Sequence, residues 1–152
     1  GEFNELFFKS IDPLRVVKRL GPVLFQLPPN LKADTALIAD FLATVPKDLR
    51  CAIEFRHASW LADPVYALLE QHGAALCLAE SDDFTIPGVI TGGFVYCRLR
   101  KSDYTPEDRA VIQERVERLL AGNRDVYVFF KHEETPAGAL YAEELLRRRS
   151  HQ

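Results

Sequence analysis

The chain has 152 residues, 47% of them hydrophobic, and a formal net charge of -3. That length suits one domain over 1–152 with one sizeable core. The charge balance excludes a chain-wide basic field, so a nucleic-acid partner would need a local patch. No apolar run approaches the ~20 residues of a membrane span. The start, Gly1-Glu2-Phe3-Asn4, lacks the basic and apolar regions of a signal peptide. Cys51, Cys77 and Cys97 each sit alone in an apolar run, without a CxxC pair. Buried, reduced thiols in a cytoplasmic protein are therefore expected. Methionine is absent and the chain opens on glycine. A truncated or processed product is the expectation, with Gly1-Glu2-Phe3 resembling a cloning scar.

In chain order, a short helical segment is predicted before Gly21, then a strand over 22–27. Asp34 caps a helix over 35–44 whose buried stripe is Leu37, Ile38, Phe41 and Leu42. A second strand covers 50–55. Asp63-Pro64 reads as N-cap and first helical residue, and Gly73 as the terminator. A third strand covers 75–79, and 79–93 reads as loop, with Pro87-Gly88 and Gly92-Gly93 turns. The fourth strand is 94–99. Thr105-Pro106-Glu107-Asp108 starts a helix that stops before Gly122-Asn123. A fifth strand, 125–130, precedes a helix over 137–148, whose Arg147-Arg148-Arg149 suits a solvated helix end.

Strands this short and continuously apolar are buried on both faces, and their alternation with helices predicts a parallel sheet with right-handed crossovers. The fold expected is an α/β parallel barrel of the TIM type, incomplete, with about five βα units.

The two-residue period of a strand sorts the side chains by face. Glu54 and Arg56 share a face with Ala52, and two charges do not suit an apolar helix layer. Tyr96, Arg98 and Arg100 group in the same way, as do Tyr127, Phe129 and Lys131. Gln26 is the one polar residue of its strand. These residues gather at the C-terminal ends of their strands, where sites form on parallel sheets.

Glu54, Glu80 and Asp82 are set there against Arg56, Arg98, Arg100 and Lys131, a positive surplus favouring an anionic ligand: a small molecule or nucleic acid. Trp60, Phe84, Tyr96 and Tyr127 are candidates for a stacking wall. Acceptable metal ligands include Glu54, Glu80, Asp82, His57, His132, Glu133 and Glu134, but none has a diagnostic spacing. A cofactor is thus unassigned, with a divalent metal one reading. No GxGxxG, Walker or GxSxG signature is present.

Four segments together resemble the YecE-like family, a domain of unknown function. They are Leu20-Gly-Pro-Val-Leu-Phe-Gln-Leu-Pro-Pro29, Ala52-Ile-Glu-Phe-Arg-His-Ala-Ser-Trp60, Phe94-Val-Tyr-Cys-Arg-Leu-Arg100 and Asp125-Val-Tyr-Val-Phe-Phe-Lys-His132. The resemblance implies a TIM-type barrel, distantly similar to those of endonuclease IV and xylose isomerase, of which this chain matches strands four to eight. It carries over Gln26, Glu54, Arg56, His57, Trp60, Tyr96 and Arg98. Ala58 departs from the usual proline and Glu80 from aspartate, while Lys131-His132 replace an asparagine pair and Arg100 a histidine. The last changes make the mouth more cationic.

Two functions from different classes follow. In the first, a hydrolase acts on a phosphate-containing substrate, such as a phosphodiester in nucleic acid. Arg56, Arg98 and Lys131 hold the anion, Glu54 serves as base or metal ligand, and His57 or His132 as acid. The second is a non-catalytic module binding an anionic metabolite or nucleic acid through Gln26, Arg56, Trp60, Tyr96, Arg98, Arg100 and Lys131. No membrane partner is expected. Open strand edges predict self-association of these 152 residues.

Overall fold

In the computed structural model, residues 2–131 and 135–149 are described, apart from the side chains of residues 2, 3, 148 and 149. Helix α1 (Glu2–Val16) is followed by β1 (Val23–Gln26), α2 (Thr35–Thr44) and β2 (Cys51–Glu54). After a 3₁₀ turn (Ala58–Trp60) come α3 (Asp63–Gln71), β3 (Ala75–Glu80), β4 (Phe94–Leu99), α4 (Pro106–Ala121), β5 (Asp125–Phe130) and α5 (Ala137–Arg149). The helix ends follow local chemistry. Asp34 accepts from the Leu37 N–H, and Thr105 and Asp108 cap each other reciprocally. Gly73, at φ 66°, ends α3 in the left-handed conformation that glycine adopts without steric cost. Two boundaries differ from expectation. Ala62 rather than Asp63 is the cap of α3. The first helix runs to 15 residues, accommodating Pro13 within it.

Among the described residues, all four strand pairings are parallel and the order is β1-β2-β3-β4-β5, without reversal. Right-handed crossovers in one direction put the connecting helices on one face. That face carries Phe25, Ile53, Leu76, Leu78, Val95, Cys97 and Leu99, most of them almost fully buried. α1 adds Phe7 and Phe8, packed edge-on against Phe25. The start of β3 is stitched by Thr91, whose Oγ1 accepts from the Leu76 N–H and donates to the Ala74 carbonyl. Gly92 lies beside it, where a Cβ would meet Ala75 backbone atoms at 3.1 Å.

The other face is curved, as two long-range contacts reveal. Arg98 on β4 reaches Gln26 on β1 at 2.5 Å. At the opposite end, Arg50, just before β2, reaches Tyr127 on β5 at 2.5 Å and Asp125 at 2.7 Å. Each contact spans three strand spacings, roughly 14 Å along a flat sheet. On a flat sheet these side chains would stand parallel; a concave one turns them toward a common axis. Every inward residue of the central strand (Ala75, Cys77 and Ala79) is small, which leaves room for the guanidinium of Arg98 to pass over β3. No helix among the described residues is long and apolar enough to cross a membrane.

Candidate functional site

Parallel register aligns Gln26 with Glu54 across β1 and β2, and Ala79 with Arg98 across β3 and β4. Glu54 is fully buried. One of its carboxylate oxygens accepts from Arg98 Nη1 at 2.6 Å, and the other lies 3.3 Å from Arg100 Nη2. The Arg98 and Arg100 side chains keep 16% and 20% of their surface. The cations therefore cover the carboxylate and present themselves to the concavity. One carboxylate against two guanidiniums leaves a single positive charge, held in partial shelter from water, where it acts more strongly on an anion than at an exposed surface. Oε1 of Glu54 and Nε of Arg100 are buried without a hydrogen-bond partner. The cluster thus retains unspent capacity on both its acceptor and donor sides.

Tyr96 precedes Arg98 on the same face and stacks on Phe129 of β5, with centroids 4.9 Å apart and planes 25° apart. Burial raises the Tyr96 phenol pKa, with the Cys77 and Glu54 charges adding to it and Arg98 opposing. The hydroxyl is a neutral hydrogen-bonding group. Arg56 lies half-buried one alternation beyond Glu54 and, among the described residues, makes no ion pair. Lys131 is exposed at the end of β5, its N–H donating to the Leu99 carbonyl.

His57 is engaged locally. Its Nδ1 accepts from the Ser59 N–H at 3.2 Å and lies 2.8 Å from Ser59 Oγ, which itself accepts from the Ala33 N–H. If the Ser59 hydroxyl donates to Nδ1, the neutral ring carries its proton on Nε2. Trp60 does not line the concavity. It is fully buried, stacks on Phe55 at 4.8 Å and donates its Nε1–H to the Leu31 carbonyl. Trp60 and Ser59 together tie the loop after β2 to the loop after β1, an anchoring role in place of the expected stacking one.

Among the described residues, Glu80 and Asp82 stand apart from Glu54. Glu80 shares the helix-facing side of β3 with Leu76 and Leu78, and its carboxylate lies 3.6 Å from Arg115 of α4. Asp82 is exposed and accepts from the N–H and hydroxyl of Ser102, bracing one loop against another. Among the described residues no three histidine, cysteine or acidic side chains stand close enough to hold a metal. His132, Glu133 and Glu134 lie outside the described residues. Cys51, Cys77 and Cys97 are buried free thiols. Burial pushes Cys51 up to about 12 and Cys97 to about 11. Phe129 joins this face as well; its inward parity, beside Tyr127 and Lys131, is the sequence signal for it.

A family model described as "Protein of unknown function DUF72" matches residues 2–152. No curated protein gives a significant match. Among solved structures, a DUF72 family protein from Thermotoga maritima MSB8 aligns with TM-score 0.89 at 23% identity, covering 98% of this chain and 65% of that one. One from Enterococcus faecalis V583 aligns with TM-score 0.82 at 19% identity, covering 97% and 68%. The chain thus spans about two-thirds of the length of these solved relatives. At such identities the likeness speaks for the fold alone.

Proposed function

The chain belongs to the DUF72 (YecE-like) family of unknown function, and from that premise we propose that its concave face binds an anionic group, phosphate or carboxylate, through Arg98 and Arg100, with Arg56 and Lys131 at the rim. The observation carrying this reading is the pair of guanidiniums lying over one buried carboxylate. Glu54 then acts as a counter-ion that holds both arginines in position. Two arginines already compensate this carboxylate, so binding fits the geometry better than hydrolysis. Arginine pairs of this kind suit the planar oxygens of phosphate and carboxylate.

The sheet itself is read as an arc of a parallel β/α barrel. Unreversed strand order and side chains converging across three strand spacings support that reading, and it sets the cluster at the C-terminal rim, where barrel sites lie. With β1 and β5 at the edges of the sheet, this chain by itself is expected to self-associate. Light scattering tests that point, and a clean monomer at tens of micromolar would count against it.

Isothermal titration with inorganic phosphate and pyrophosphate tests the binding reading. Saturable binding that weakens with added salt and falls about tenfold in Arg100→Gln is expected. A heat signal equal in wild type and variant, or none in either, would overturn it.

A further inference from the structure

The concave face carries a second feature that a bare anion does not use. Phe129 keeps 47% of its surface exposed. In the register of the sheet it is the direct neighbour of Arg98. Tyr96, itself nearly buried, backs one side of its ring at 4.9 Å. The aromatic pair at the opposite end of the same strands is finished differently. Tyr127 meets Phe94 edge-on at 6.0 Å, and Arg50 closes it off with a hydrogen bond and a guanidinium 5.9 Å from the ring. At one end of the concavity an arginine engages the aromatic pair, and the other end offers an aromatic platform one strand away from a cation.

Resting on the anion-binding reading above, we infer that the ligand is an anion joined to a planar ring, with nucleotide chemistry: Arg98 and Arg100 take the phosphate and the base stacks on Phe129. A phosphate–sugar–base unit matches this side-by-side layout. Any base can use it, because stacking reads a π-face rather than a hydrogen-bond pattern. The site is mononucleotide-sized, since one platform and one cation pair serve one base and one phosphate.

Titrations of the chain with inorganic phosphate, ribose 5-phosphate and adenosine 5′-monophosphate test the inference. The monophosphate is expected to bind about tenfold more tightly than ribose 5-phosphate. Phe129→Ala should erase that difference while leaving phosphate binding unchanged, and Phe129→Tyr should keep it. Equal affinities in the unaltered chain, or an advantage that survives Phe129→Ala, would overturn the inference and leave anion binding standing. Failure of phosphate itself to bind would sink both. Tighter binding of an oligonucleotide than of the mononucleotide, growing with its length, would replace the mononucleotide with a single strand.

Discussion

Two glutamates end adjacent strands of this sheet, and both are buried beside arginines. Glu54, on β2, faces the concavity and is held by strand-borne Arg98 at 2.6 Å. Glu80, on β3, faces the helices and meets helix-borne Arg115 at 3.6 Å. Both carboxylates are buried, but only the first is covered by two arginines on the concave face. The difference comes from the two-residue period of a strand. Counted inward from Ala79, Arg98 and Tyr96 share one face, whereas Glu80 falls on the other with Leu76 and Leu78. Residue type alone does not separate a site carboxylate from one that fastens a helix to its sheet.

Several perturbations would break or sharpen this contrast. Glu54→Ala strips two half-sheltered arginines of their counter-ion, and a loss of about 3–5 kcal/mol is expected in urea unfolding. A loss no larger than that of Glu80→Ala would erase the distinction. Glu80→Ala should cost about 1–2 kcal/mol, because its partner is longer-range and better solvated, and should leave phosphate affinity unchanged. Thr105→Ala removes the cap of the helix that carries Arg115, at a cost of about 1 kcal/mol. That too should leave the concave face untouched, as read by phosphate titration.

The smallest expected effect is a difference between thiols. Cys77 lies on the Glu54 side and Cys97 on the Glu80 side. Burial raises both; at Cys77 the Glu54 charge adds to the rise and Arg98 and Arg100 oppose it, while at Cys97 Arg115 opposes the rise and Glu80 adds to it, and Cys97 reaches about 11. Thiolate absorbance in single-cysteine variants should therefore find Cys97 ionising first. An unfolded thiol, near 9.0, loses its proton before either. Above that pH the unfolded state binds fewer protons than the folded one, so stability falls as pH rises from about 9 toward 11. Flat stability across that window would contradict the burial of these thiols.

Much of this was legible in the residues. Short apolar runs separated by capped helices gave all five strands within a residue or two, because buried parallel strands and helix caps are locally encoded. The inward parity of Glu54, Tyr96 and Arg98 was equally local. Loop residues were not. Trp60 follows a strand end by six residues, and only the fold reveals that its ring is spent on Phe55 and the Leu31 carbonyl. Proximity to a strand end suggests the rim for Glu80, but strand alternation sets it against α4. Parity sorts Phe129 onto the inward face with Tyr127 and Lys131, but its exposure depends on what packs beside it, which only the fold reveals.

The most direct test of the central claim is the arginine side-chain Nε–H spectrum of the chain during titration with inorganic phosphate. Saturable shifts of the Arg98 and Arg100 signals, with Arg115 and the surface Arg147 unmoved, are the predicted result. Uniform small drifts of every arginine, or a response at Arg115 alone, would contradict a concave anion site.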